Sequence, residues 1–363
     1  MPVRRRPLAL PVLTMAAARL ATLAVMYLAG RVKGVSFNSV AAAWDGTHYI
    51  YNAANGFPEG VFINGEYKGA ALAFYPLYSL LLRLARPLGV SYTATGLVLS
   101  FAASLLVAAL VWLLVRDWLG DRAANAAAIL FAAFPGTTVL SLIYAEGVML
   151  AAAAACLLAL RHRRWLLAGI AAAVATSARP NAIVLVLCCA YAAFDAIRQR
   201  RDLASLVAPA LAPLGALAYH LYLWRHTGDV TEWFDVQRDG WNERFSPLSI
   251  VDFARHLGDK PHELQELTVL LGTAFAVAAL VLLVKAKPPP TLLLWTIGIL
   301  FLVFTSNNLG VRPRFAMTAF PLFGALGLAL RDKPLALTGV TASFAVLSAA
   351  YVSAAVATVT LIP

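Results

Sequence analysis

The chain has 363 residues, 61% of them hydrophobic and 13% charged, with a formal net charge of +11. So little polar surface excludes a soluble domain, and a mean hydropathy of +0.75 together with apolar runs near the ~20 residues that cross hydrocarbon points to an all-α polytopic membrane protein. The excess charge needs no nucleic acid as partner, because topology accounts for it.

Arg4, Arg5 and Arg6 precede an apolar run at residues 8–30 with no small-residue cleavage site of convincing form after it, which predicts a retained first span, not a signal peptide. A polar segment follows, containing WDGTHYIYNAANGFP at residues 44–58, an NGEYKG turn at 64–69 and AFYPLYSLLLRLARPLG at 73–89. Pro76 near the start of that last stretch, and Arg83 and Arg86 near its end, predict an interfacial helix in preference to a span. Further spans are predicted at 93–115, 123–138, 140–160, 165–178, 182–197, 203–224, 267–284, 291–305, 315–330 and 335–361, eleven in all. They form one domain over residues 1–363, with residues 31–92 as the first extracytoplasmic loop and 225–266 as a second long one. Cys156, Cys188 and Cys189 fall inside apolar runs, which argues against a disulfide framework or a thiolate metal site.

Orientation follows from the basic residues. With a cytoplasmic N-terminus, the loops at 116–122, 161–165, 198–202, 285–290 and 331–334 face inward and carry most of the Lys and Arg excess, while the outer segments balance basic and acidic residues. Every outer connection then carries mixed polar chemistry, and five such patches on one face point to one site there.

In WDGTHYIYN, helical spacing puts Asp45, His48, Tyr49 and Asn52 on one face. A carboxylate beside an imidazole, edged by Trp44 and Tyr51, suits a site that takes a proton from a sugar hydroxyl while aromatic rings stack on the sugar. Equally, Asp45 can serve as a helix N-cap, with Gly56 ending the helix after Asn55. Tyr144 and Glu146 stand at the outer start of a span, where the acid must face the bundle interior or a watery cavity as a helix-terminal charge or a substrate ligand. Arg179 and Asn181 flank Pro180 between two spans; a cation there pairs with a lipid phosphate or snorkels to headgroups. The loop at 225–266 interleaves Trp233, Phe234, Trp241 and Phe245 with Gln237, Arg238, Asn242 and Arg244, a mixture suited to a membrane interface, of which Gln237 and Trp241 are candidate substrate contacts. Arg312 and Arg314 lie outside, where an anionic ligand or lipid headgroups would explain them. Arg19 falls within the first span and calls for an acid in the bundle or a lipid phosphate. No Walker loop, GxGxxG or HExxH motif is present, and no fixed-period repeat.

Taken in order, these patches resemble the PIG-V family of GPI mannosyltransferases, in particular its bacterial relatives, within the GT-C class of polytopic glycosyltransferases. The resemblance rests on WDGTHYIYNAANGF (44–57), AFYPLYSLLLRL (73–84), the Pro-Gly and Tyr-x-Glu elements within 134–147, ARPNAI (178–183), VQRDGW (236–241) and PRF followed by FPLF (313–323). Ile50 to Ala53 and Phe57 depart from the family's Ile-Ala pair and Gly-Tyr. The resemblance implies a GT-C-like bundle that uses a polyprenyl-phosphate sugar, usually mannose, on the extracytoplasmic face, with Asp45 as catalytic base and a glycolipid or glycan acceptor. A polyprenyl phosphate is a good leaving group, so one carboxylate suffices where a glycosidase needs two, and Arg179, Arg312 or Arg314 would meet the phosphate. No metal or other cofactor is expected. The partners are then the lipid-linked donor, the acceptor and membrane lipids of a bacterial plasma membrane. A transporter or flippase for a lipid-linked sugar is the second reading; it predicts paired broken helices and polar groups near midplane.

Overall fold

The computed structural model describes residues 8–58, 62–63, 66–67, 69–249, 251, 255, 264–307 and 312–358. Arg4 to Arg6, much of the 64–69 turn and the residues just before Arg312 lie outside the described residues. The chain is nearly all helical, apart from a two-residue hairpin pairing Phe62 with Tyr67 and Ile63 with Glu66, and an isolated bridge between Phe245 and Ser306.

Among the described residues, six helices are long and apolar enough to cross a membrane: α1 (Ala9–Lys33), α5 (Tyr92–Leu119), and the segments Pro180–Arg200, Leu203–Thr227, Leu264–Lys285 and Pro334–Ala357. A seventh is counted if α6 (Asp121–Ala133) and the 3-10 turn Pro135–Ser141, bent by 70°, form one broken span. The other apolar runs are helical but shorter, as α7 (Glu146–Arg161), α8 (Trp165–Ala178), Pro290–Phe304 and Pro321–Leu330. The eleven apolar runs are thus largely helical, yet among the described residues only six or seven helices have the length of a full crossing. The protein is an integral membrane protein.

Small residues set the packing. In α7, Ala151 to Ala154 are all buried, as are Ala168, Ala172 and Ala175 of the adjoining α8, since small residues let helix backbones approach closely in lipid. A Cβ on Gly215 would lie 2.1 Å from the Ala173 carbonyl, so the Leu203–Thr227 segment can press on α8 only with glycine there. On α1, Met15, Arg19, Thr22, Met26 and Gly30 form a buried stripe that packs against α5, α6 and Pro334–Ala357.

The first loop lies across one end of this bundle. It contains α2 (Phe37–Ala41), α3 (Asp45–Asn55), a 3-10 turn at Gly69–Ala73 and α4 (Pro76–Leu84). At nine residues, α4 is about 14 Å long, too short to cross about 30 Å of hydrocarbon by itself.

Four consecutive carbonyls anchor that loop. The Ala70 carbonyl accepts from Trp241 Nε1 (3.2 Å), Ala71 from Asn52 Nδ2 (2.9 Å), Leu72 from the Tyr219 hydroxyl (2.7 Å) and Ala73 from Trp233 Nε1 (3.3 Å). Two of these donors belong to the long loop after Thr227, so the aromatic residues of that loop serve partly as its attachment. Phe234 and Phe245 remain exposed, as an interfacial role requires.

Candidate active site

The α3 helix begins at an unusual backbone. Trp44 has φ 55° and ψ −123°, a region that costs a bulky L-residue about 1–3 kcal/mol, and this turns the chain abruptly from α2 into α3. Trp44 occupies the cap position and makes no side-chain capping bond, and Asp45 is the first helical residue. The N-cap alternative for Asp45 therefore fails: its N–H donates to the Tyr144 hydroxyl (3.4 Å), and its carboxylate turns inward instead. Gly56 does end the helix, with φ 86°.

Asp45 Oδ2 lies 3.4 Å from Arg179 Nη1 and 3.4 Å from Arg314 Nη1. Glu146 Oε2 lies 2.8 Å from Arg179 Nη1, and its other oxygen 3.9 Å from Arg314 Nη1. Two carboxylates and two guanidinium groups thus alternate in one buried quartet, with Glu146 the deepest at 3% exposure. They come from four places in the sequence: the start of α3, the start of α7, the turn after α8, and the short helix Pro313–Thr318. Formal charge within the quartet cancels. Arg312, partly buried beside it, adds a further positive charge, and burial followed by the nearby Arg314 pushes its guanidinium below the ordinary arginine range.

Around the quartet the expected neighbours are present. Tyr49 is buried against Phe74 and Tyr78, and burial raises its phenol well above the ordinary value. His48 stacks on Phe74 with centroids 4.6 Å apart and meets the edge of Trp241 at 5.5 Å. Burial lowers the His48 pKa, and the Asp45 carboxylate opposes that shift, so the ring is neutral at pH 7. Asn181, in the turn Pro180–Ile183, has a buried Oδ1 that accepts no hydrogen bond among the described residues. Trp44 lines a small apolar crevice of about 10 Å³ together with Met26, Val40, Leu142, Tyr351 and Val352.

These positions are occupied on a bundle with known relatives of shape. Solved structures similar to it include ArnT from Cupriavidus metallidurans bound to undecaprenyl phosphate, at TM-score 0.57 and 15% identity, covering 97% of this chain and 65% of that one. The Archaeoglobus fulgidus oligosaccharyltransferase, in complex with Zn and sulfate, matches at TM-score 0.54 and 17% identity, over 94% of this chain and 53% of its own. The fold is that of the GT-C membrane glycosyltransferases. The chain spans only about half to two thirds of the length of these GT-C structures. The family model of dolichyl-phosphate-mannose-protein mannosyltransferases matches residues 74–224, under half of the chain, a range that contains Tyr144, Glu146, Arg179 and Asn181 and leaves out Asp45 and Arg314. No curated protein sequence matches it.

Arg19 pairs with no acid among the described residues: it donates to the carbonyls of Thr137 and Ala132 and to the hydroxyls of Thr137 and Ser141. Gln237 is part of the turn Val236–Gly240, and among the described residues only its carbonyl is engaged, accepting from the Glu243 N–H at 2.7 Å. Phe74, Asn52 and Gly136 were not marked as site residues by sequence. Phe74 is hidden in an amphipathic run, Asn52 acts through a carbonyl 19 residues away, and Gly136 matters only because a Cβ there would lie 2.1 Å from the Pro313 carbonyl.

Proposed function

We propose that the protein is an inverting glycosyltransferase that moves a sugar, mannose in the PIG-V-like reading, from a polyprenyl-phosphate donor to a glycolipid or glycan hydroxyl on the extracytoplasmic face. The observation that carries this reading is the buried quartet in which Asp45 faces Arg179 and Arg314 on a GT-C bundle. The similar ArnT structure holds undecaprenyl phosphate, and an Archaeoglobus fulgidus AglB structure, at TM-score 0.50 and 16% identity over 96% of this chain and 55% of that one, holds a dolichol-phosphate.

The acceptor oxygen attacks the anomeric carbon from the face opposite the phosphate. Its proton passes to an Asp45 carboxylate oxygen as the new C–O bond forms, and the bond from the anomeric carbon to the phosphate oxygen breaks with its electron pair on phosphate. The phosphodiester monoanion thereby becomes a phosphate monoester, and Arg314, Arg312 and Arg179 meet the added charge. The quartet suits this step because its arginines are already placed and desolvated before donor arrives. The Asn181 Oδ1, which accepts no hydrogen bond among the described residues, would accept from a sugar hydroxyl. The step requires a base and cations, which the chain supplies; we propose no metal.

A transfer assay tests this with purified protein in lipid, a panel of polyprenyl-phosphate sugars and extracted native glycolipids. The proposal expects a glycosylated product with inverted anomeric configuration. Movement of lipid-linked sugar across vesicles without any transfer would instead establish the transporter reading.

A further inference from the structure

Arg19 stands near the middle of α1 and is 2% exposed. A cation there costs a few kcal/mol unless something answers its charge. Among the described residues no carboxylate does so. Its Nη2 donates to Thr137 Oγ1 (2.8 Å) and the Ala132 carbonyl (3.3 Å), and its Nη1 to the Thr137 carbonyl and to Ser141 Oγ (3.3 Å). The counter-charge is thus the carbonyl end of α6, where helix dipoles concentrate negative charge.

That end exists because α6 breaks. The 70° bend into Pro135–Ser141 frees the carbonyls of Ala132, Ala133 and Phe134, which inside a membrane must find donors. Arg19 and Thr137 Oγ1 (3.2 Å) take the first, Ser348 Oγ the second (2.7 Å), and the Thr137 N–H (2.9 Å) and Oγ1 (2.7 Å) the third.

The bend touches the catalytic quartet from three sides. Gly136 seats against the Pro313 carbonyl, next to Arg314. The Ile143 N–H donates to the Ala41 carbonyl (3.2 Å), just before Trp44 and Asp45. Its own continuation carries Tyr144 and Glu146.

We infer that Arg19 is a positioning residue: by holding the bend closed it places Glu146, Tyr144 and Arg314 around Asp45. This rests on the catalytic reading of the quartet. A lysine ammonium can hold the Thr137 carbonyl but cannot span to Ala132 as the planar guanidinium does, and with no acid nearby it sheds its proton as pH rises.

The test compares wild type, Arg19→Lys and Arg19→Met as full-length protein reconstituted in lipid. Hydrogen exchange across residues 134–146 is read first, then kcat, donor KM and the pH profile of transfer. Arg19→Met is expected to speed exchange in that segment and lower kcat about 10²-fold, the effect of a misplacement near 1 Å. Arg19→Lys is expected to lose about tenfold in kcat with donor KM little changed, and to gain a fall in kcat at alkaline pH that wild type lacks. Unchanged exchange in 134–146 overturns the inference whether or not the protein transfers sugar. So does a variant that loses thermal stability while its kcat and pH profile match wild type. Wild type that moves no sugar from any donor, with exchange altered in the variants, overturns the catalytic reading and leaves the bend's dependence on Arg19 standing.

Discussion

Glu146 and Arg179 form the tightest pair in the charge quartet, 2.8 Å apart and almost wholly buried, although 33 positions separate them in the chain. A buried pair contributes little when intact, because desolvation offsets the attraction, but removing one partner strands the other. Glu146→Gln should therefore lower stability by about 3–5 kcal/mol, and leave Arg179 to close on Asp45. Thermal melting in detergent and transfer rate should both fall; a variant with wild-type melting would show that Glu146 is not what holds Arg179.

Arg314 answers Asp45 from the far side, with its guanidinium also 4.9 Å above the Phe315 ring. Arg314→Lys keeps the charge and loses the planar fork that reaches Asp45, Glu146 and a phosphate together. The expected loss in kcat is about 10²–10³-fold, the usual size for removing one group that meets developing charge. Steady-state kinetics with donor varied check this. A change in donor KM alone would assign Arg314 to ground-state binding.

Gly136 is the point where the bend and the Arg314 helix touch. A methyl group there would sit 2.1 Å from the Pro313 carbonyl, far inside contact distance, so Gly136→Ala must push the two segments apart. Activity should fall about 10²-fold while Gly339→Ala, at a glycine with open space around it, changes activity little. Equal effects from both variants would rule out the contact as the cause.

His48 gives a pH signature. Its pKa is lowered chiefly by burial, so between that value and the ordinary 6.5 the unfolded chain binds a proton that the folded chain does not. Stability is complete above pH 6.5 and declines as pH falls through the window. His48→Phe keeps a ring to stack on Phe74 and removes the titration, so melting temperature plotted against pH should be flatter on the acid side for the variant. Parallel curves would mean that another group titrates there.

Much of this was legible in the primary structure. The apolar runs are largely helical over the described residues, α4 within residues 73–89 is a short helix, and Asp45, Glu146, Arg179 and Arg314 converge. Hydrophobic runs and polar patches show these directly, because membrane burial enforces them. Span lengths were less legible: the sequence marks a turn after α6 but not its 70° bend, which the Arg19, Ser348 and Thr137 donors help make tolerable. Trp241 and Trp233 likewise read as interfacial aromatics, whereas their indole N–H groups hold the Gly69–Ala73 turn. Such side-chain-to-carbonyl bonds leave no pattern in sequence, since any backbone can accept them.

The central claim is that Asp45 takes the acceptor proton. It is tested most directly by single-turnover transfer with purified protein in lipid, saturating polyprenyl-phosphate sugar and acceptor, comparing wild type with Asp45→Asn at matched folded concentration. The asparagine is nearly isosteric, keeps the α3 backbone and cannot accept the proton, so transfer should drop by at least about 10²-fold, the lower bound for loss of a general base, with melting and donor binding retained. Turnover by Asp45→Asn within a few-fold of wild type would contradict the account.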